Sequence, residues 1–319
     1  MAFYIGIDIG GTNIKAGIVD ELGNLLGTAQ RPTGVGRPLT EIFRDISRTV
    51  DEALATSGLN RSDTSAAGAG CPGAVLPDRG LVVYNNNLGW HDVPLGPELS
   101  ALLGLPVVVG NDANVAALGE AVAGCAKGAS SAIIITLGTG VGCGVVLNGS
   151  IWTGWSSTAS EFGHMVIVRD GRPCTCGRKG CLESYASATG LIALTREAMA
   201  AHPDSLMHRA EDVDGRTAFD AARAGDIVAQ GVVDDYIDYL ACGLANLING
   251  LQPEVIGLGG GVAEQGEALF TPLREKVRRE LYGGGGERST RILPCTLGYQ
   301  AGLIGAAMAA MQHLNKGDF

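Results

Sequence analysis

A chain of 319 residues with 46% hydrophobic side chains can fill the cores of two ordinary domains, which excludes a disordered or fibrous protein. With 33 acidic against 23 basic side chains the formal net charge is −10, so the overall field repels nucleic acid and anionic lipid; neither is expected as a partner, and any nucleotide must be gripped by local geometry. The 49 glycines have no collagen-like period and gather in short runs beside apolar strands, an arrangement that brings backbone close to a ligand.

The chain runs from Met1 straight into the apolar segment Phe3 to Ile9, with no basic leader and no small-residue cleavage site, so a cytoplasmic setting is expected. The segment FYIGIDIGGTNIKAGIVD predicts two strands joined by a glycine turn at Gly10-Gly11. Leu39, Ile42, Phe43, Ile46, Val50 and Leu54 then share one helical face, and Gly58 supplies a stop. A short strand at Pro106 to Gly110 leads into Asn111-Asp112-Ala113-Asn114 and a helix over Val115 to Ala123. From Gly128 to Ser160 there is no charged residue, but repeated glycines and the polar Thr136, Thr139 and Asn148 predict a buried hairpin rather than a bilayer helix. Within it, AIIITLGTGVGCGVVLNG from Ala132 to Gly149 repeats the strand, glycine turn, strand design of the N-terminus and suggests two related domains. Ile237, Leu240, Leu244, Leu247, Ile248 and Leu251 trace a second helical face, which Pro253 ends before a strand at Val255-Ile256. A last apolar helix, about Gly302 to Leu314, is expected to pack back on the first domain. The stretches 201–216 and Gly283 to Gly286 predict surface loops without a catalytic role. Strands alternating with helices make the fold α/β.

Phosphate oxygens need several N–H donors at close range, and glycine permits both the turn and the approach. Three segments offer this: Asp8 to Thr12, Leu137 to Gly142 and Leu258 to Val262. No G-x-x-x-x-G-K-[ST] run occurs, and Gly257 to Gly261 lacks the dinucleotide spacing, so a different phosphate-binding architecture is required. Asp8, where the first strand meets its turn, could face Mg²⁺ directly or through water, or could simply cap the turn. Asp112 lies beyond the carboxyl end of a strand, where ligands of α/β sheets bind. There it could accept the proton of an attacking hydroxyl, an effect of roughly 10²–10⁴-fold, or serve as a helix N-cap.

Eight cysteines without an export signal argue against disulfides, and three of them crowd between Cys174 and Cys181. His164, Cys174, Cys176 and Cys181 match a closed tetrahedral zinc site that would organise a loop rather than activate water; reduced structural cysteines are the competing explanation. Glu161 and Glu183 border this loop and could take paired hydrogen bonds from sugar hydroxyls, or be ordinary surface glutamates. His164 could bind metal through one nitrogen and face ligand through the other. His91, His202, His208 and His313 stand in no comparable constellation.

Taken together, DIGGT at Asp8, GNDAN at Gly110, LGTGVG at Leu137, EFGH at Glu161, CTCGRKGCLE at Cys174, GLGGGV at Gly257 and AGLIGAA at Ala301 resemble the ROK sugar kinases, and within them the bacterial ROK-type glucokinases. The resemblance runs nearly end to end. It implies an actin-like ATPase (ribonuclease H-like) fold of two domains flanking a cleft: a smaller α/β domain of 1–120 plus 300–319, and a larger one of 121–299 carrying the zinc loop. It implies ATP with Mg²⁺ at Asp8, Gly10, Gly11, Thr12 and Lys15, at Gly138, Thr139 and Gly140, and at Gly259, Gly260 and Gly261. Asn111, Asp112, Glu161, His164 and Glu183 would hold a hexose, joined by Gly73 and Asn87, with Asp112 also the base. Glucose is the implied substrate; N-acetylmannosamine, fructose, mannose and allose kinases share the same catalytic set. A homodimer is implied, with a tetramer as an alternative. The family also contains sugar-sensing repressors with a helix-turn-helix segment, which this acidic chain is not expected to be, and an actin-like assembly protein would leave the zinc loop unexplained. Two departures stand out: Ala159-Ser160 precede Glu161 where the family usually has glycine, and Cys143 replaces a common glycine. The first bears on the pocket floor and the second on packing.

Overall fold

The computed structural model describes residues 2–284, 286 and 289–316. β1 (Phe3–Ile9), β2 (Asn13–Asp20) and β3 (Leu25–Pro32) form an antiparallel meander, to which β4 (Thr64–Cys71) and β8 (Val107–Asn111) add in parallel, giving the order β3-β2-β1-β4-β8. β9 (Ser131–Leu137), β10 (Val141–Leu147) and β11 (Ser150–Ile151), followed by β12 (Val255–Gly259) and β13 (Arg291–Pro294), repeat that topology as β11-β10-β9-β12-β13. The duplication expected from the two glycine-turned hairpins is therefore present in the strand order, and the charge-free stretch 128–160 forms β9, β10 and β11 and no helix, although beyond β11 it departs from the expected buried hairpin, running as irregular chain with Trp155 exposed. A small antiparallel sheet of β5 (Ala74–Leu76), β6 (Leu81–Asn85) and β7 (Trp90–Val93) completes the β-structure among the described residues.

Two compact units are resolved: residues 1–134, 144–160 and 296–319, and residues 135–143 and 161–295. In the first unit, β1 is buried on both faces, with Ile5, Ile7 and Ile9 all 0% exposed on one and Tyr4 4% exposed on the other. α1 (Leu39–Ser57) packs on the β2–β3 side and is ended, as its sequence predicts, by Gly58 at φ 72°. α2 (Leu95–Leu103) packs on β8. α9 (Gln300–Lys316) lies on β1 and β4 so closely that a Cβ on Gly6 would sit 1.9 Å from the Leu303 carbonyl oxygen, and one on Gly68 would sit 1.8 Å from that of Ala306. Only glycine allows such an approach. α3 (Asp112–Ala123) packs in turn on α9, so the expected return of the last helix to the first domain holds and fixes the helix that begins with Asp112.

The second unit is built around α7 (Ile227–Leu251), against which α4 (Glu183–Ala186), α5 (Ala188–Ala201), α6 (Thr217–Arg223) and α8 (Glu267–Glu280) pack. The stretch 201–216 departs from the expected plain surface loop. It holds a short 3₁₀ turn over Leu206–Arg209, buries Met207 at 1% exposure, and bonds Ser205 to Asp226, the N-cap of α7. Of the glycine run at 283–286, Gly285 lies outside the described residues; Gly283 and Gly284 are exposed.

Candidate functional site

The first glycine turn closes with the Gly10 amide donating to Asn13 O at 3.0 Å. Thr33, fully buried at the end of β3, donates its hydroxyl to Gly10 O at 2.6 Å, while its amide donates to Thr12 O at 2.9 Å. This threonine was not legible as a site residue, because its partners lie 23 and 21 positions away. Asp8 leaves the end of β1 half-buried and accepts from Lys15 Nζ at 3.4 Å. Burial raises its carboxyl above the ordinary aspartate range and the Lys15 charge pulls it part of the way back.

Asn111, not Asp112, is the N-cap of α3: its Oδ1 accepts from the Ala113 and Asn114 amides at 3.0 and 3.2 Å. Asp112 is the first helical residue, so capping does not account for it; its Oδ1 accepts from the adjacent Ala113 amide at 2.9 Å. Burial pushes the Asp112 carboxyl above its ordinary value; the Ala113 amide opposes this and the negative Asp8 reinforces it. Asn111 Nδ2 donates to Gly73 O at 3.1 Å, which draws the Cys71-Pro72-Gly73 turn to the head of α3. Gly73 stands at φ 94°, and a Cβ there would meet Tyr84 O at 2.1 Å. Asn85, 1% exposed, braces this turn through Nδ2 to Pro72 O at 2.7 Å and accepts from Leu88 N at 3.0 Å, so it also shapes the turn that carries exposed Asn87. Asn87 in turn lies beside Gly11, 3.7 Å from where a Cβ would stand. Asn85 went unnoticed in the sequence although it opens the run Asn85-Asn86-Asn87.

In the second unit, Gly138, Thr139 and Gly140 form a tight turn closed by Gly138 N to Gly140 O at 3.0 Å. The third glycine run meets it: Gly260 stands at φ 86°, and a Cβ there would lie 2.4 Å from Leu137 O. Gly259 and Gly261 flank it, so two of the three glycine segments converge at the end of β9.

His164, Cys174, Cys176 and Cys181 place one ligand atom each within 4.8 Å of all the others. His164 Nδ1 is 3.6 Å from Cys174 Sγ, and Cys176 Sγ is 3.7 Å from Cys181 Sγ. A tetrahedral ion with sulfur at about 2.3 Å requires edges of about 3.8 Å, so the donor set and its spacing fit such an ion. Burial, together with the neighbouring thiols, pushes the Cys181 thiol up to about 12, whereas the Arg178 amide lowers that of Cys176. Crowding of this kind among neutral thiols is relieved when a cation binds and the ligands deprotonate. Glu183, half-buried at the start of α4, adjoins the cluster: its Oε1 accepts from Thr175 Oγ1 at 3.3 Å and its Oε2 from Val141 N at 2.9 Å. Glu161 is exposed and immediately precedes the 3₁₀ turn Phe162–His164.

The structure thus gathers Asp8, Gly10, Gly11, Thr12, Lys15, Gly73, Asn87, Asn111 and Asp112 in one unit, and Gly138, Thr139, Gly140, Glu161, His164, Glu183 and Gly259 to Gly261 in the other.

The ROK family model matches residues 4–313, and the chain belongs to the ROK family. It is 38% identical to a glucokinase of Halalkalibacterium halodurans, over 98% of this chain and 96% of that protein. Among solved structures it resembles a ROK family glucokinase from Streptomyces griseus in complex with glucose and AMPPNP, with 37% identity, TM-score 0.77, and 98% and 100% of the two chains covered. A ROK hexokinase from Thermus thermophilus is similar at 34% identity and TM-score 0.85, covering 99% and 100%. The α/β fold is the actin-like ATPase fold of these sugar kinases. Among the described residues no helix is long and apolar enough to cross a membrane.

Proposed function

We propose that this chain is an ATP-dependent hexose kinase that transfers the terminal phosphate of ATP to glucose, giving glucose 6-phosphate and ADP, with Asp112 as general base. The carrying observation is a carboxylate at the first turn of α3 whose affinity for a proton is raised by burial and by Asp8, and whose helix-capping duty has been taken by Asn111. A raised pKa makes Asp112 a stronger base than a solvated aspartate. It accepts the hydroxyl proton as the sugar oxygen bonds to phosphorus and the bond from phosphorus to the ADP oxygen breaks. Asn111, held to Gly73 O, and Glu183, held by Val141 N and Thr175, offer hydrogen-bond partners to the remaining sugar hydroxyls. Gly73, Asn87, Glu161 and His164 complete that set.

The glycine turns at Gly10-Gly11-Thr12 and Gly138-Thr139-Gly140, with Lys15, hold the nucleotide phosphates, and the run Gly259-Gly260-Gly261 takes the adenosine side. Mg²⁺, when bound through Asp8, neutralises phosphate charge. Zinc is the ion that suits His164, Cys174, Cys176 and Cys181, and with all four positions taken by protein its part is to fix the loop between Glu161 and Glu183. The relatives' activities and the donor set of this chain support each of these assignments, and the same assignment carries a cytoplasmic homodimer, which light scattering on the purified protein tests.

The deciding experiment is an ADP-release assay with ATP across glucose, mannose, fructose, allose and N-acetylhexosamines. Turnover greatest with glucose is expected, and no turnover with any of these sugars overturns the proposal.

A further inference from the structure

The second glycine turn is held from behind by groups that do not belong to it. The Ala188 amide donates to Gly138 O at 2.8 Å, and Thr189 Oγ1 donates to Thr139 O at 2.8 Å. On its other flank, the Val141 amide is taken by Glu183 Oε2 at 2.9 Å, and a Cβ on Gly140 would lie 2.4 Å from that same oxygen. Ala188 and Thr189 open α5, whose N-cap Ser187 accepts from Gly190 N at 3.0 Å, so both donors stand on a capped helix end rather than a loose loop.

In a planar trans peptide the carbonyl and the following N–H point in opposite directions. A donor that fixes Gly138 O therefore aims the Thr139 amide the other way, and one that fixes Thr139 O aims the Gly140 amide the other way. Two amides of a glycine turn directed to one side are what a phosphate oxygen needs. Of the two donors, Ala188 supplies backbone, which any sequence would provide. Thr189 supplies a side chain, which only serine or threonine could provide at that reach.

We propose that Thr189 is a positioning residue for the nucleotide: by holding Thr139 O, its hydroxyl directs the Gly140 amide at an ATP phosphate oxygen. The proposal rests on the kinase function argued above for its ligand, but not on the identity of the sugar. Thr189 is exposed, so replacement by isosteric valine removes the donor without opening a core. Losing one hydrogen bond that orients a phosphate donor corresponds to about 3- to 10-fold in affinity.

The test is the dissociation constant for Mg·AMPPNP, measured by calorimetry without sugar, on the full chain and on Thr189→Val and Thr189→Ser, together with the KM for ATP and for glucose. Thr189→Val is expected to weaken AMPPNP and raise the KM for ATP by that factor, with the KM for glucose within about 2-fold of the parent and with Thr189→Ser close to the parent. Equal AMPPNP affinity in parent and valine variant overturns the proposal, as does a serine variant as impaired as valine, or a parent that fails to bind AMPPNP. A parent that binds AMPPNP but phosphorylates no sugar sinks the hexose kinase function alone.

Discussion

Ser160 adopts φ 74°, a left-handed backbone that costs a residue with a Cβ roughly 1–2 kcal/mol relative to glycine. It is also the position where the resemblance to the ROK sugar kinases implies glycine, and it is a site of backbone strain immediately before Glu161. Its hydroxyl recovers part of the cost by donating to Trp152 O at 3.3 Å. Ser160→Gly is therefore expected to stabilise the protein by about 0.5–1 kcal/mol, read as a higher denaturation midpoint at unchanged m value. A lower midpoint would mean that the Trp152 bond outweighs the strain. Asp112 carries the opposite tension, between stability and chemistry. Its folded pKa is raised, so its contribution to stability is fully present below the unfolded value of about 3.9 and is lost as pH rises through the folded value. At pH 7 the ionised carboxylate is thus a net cost of folding. Asp112→Asn keeps an acceptor for the Ala113 amide and removes that charge. It is expected to lower turnover by about 10²–10⁴-fold while raising stability at pH 7, the gain shrinking toward pH 4. Assays and urea melts on the same preparations check both signs, and a variant both inactive and less stable at pH 7 would remove the buried-charge argument.

At the scale of elements, what the sequence reveals depends on how local the cause is. The glycine hairpins, the amphipathic α1 with its Gly58 stop and the crowded thiols were legible because period and spacing lie within a short window. β4 was not: its sequence, TSAAGAGC, has one β-branched residue and no aromatic, and it is a strand because β1 and β8 pair with it. Its small residues are there for α9, whose backbone lies on Gly68. Asn85, Thr33 and Thr189 escaped for the same reason, since each acts on a partner far along the chain. The contact of α3 with α9 carries this logic to the proposed base, Asp112. A Cβ on Gly305 would lie 1.6 Å from Val115 O, and one on Gly119 would lie 2.2 Å from Ala301 O, so the two helix backbones meet without side chains between them. Gly305→Ala must push α9 away from the helix that starts at Asp112, and overpacking against backbone is expected to cost about 3 kcal/mol or more. Gly231, exposed on α7 with nothing within 4 Å of a Cβ, supplies the contrast. There the same substitution is expected to stabilise by about 0.5–1 kcal/mol through helix propensity alone. Denaturation midpoints of the two variants should move in opposite directions; movement in the same direction would show that the glycine contact of α3 with α9 is not tight.

For the molecule as a whole, the proposed metal cluster would divide its influence unevenly. All four candidate ligands belong to the unit of residues 135–143 and 161–295, whereas Asp112 and the first glycine turn belong to the other. Between His164 and Cys181 the chain has no strand or α-helix, only isolated bridges of Val166 with Cys181 and Pro173 with Lys179. The segment is otherwise held by turn and loop hydrogen bonds such as Cys174 N to Arg178 O at 2.9 Å and Gly180 N to Arg172 O at 2.8 Å, and by the Tyr185 hydroxyl, which accepts from Arg172 N at 2.7 Å; a bound ion would tie these short-range turns together. Metal removal is therefore expected to act locally. Hydrogen exchange across 164–183 should rise by orders of magnitude, while β1 and β4, with their buried isoleucines and alanines, keep the protection of the metal-loaded protein. Because Glu183 ends that segment, sugar affinity should fall in the chelated protein before its denaturation midpoint does. Elemental analysis should return one zinc per chain at the start of the experiment. A chelated protein that exchanges no faster over 164–183, or that loses protection uniformly through both units, would show that the ion does not order this loop.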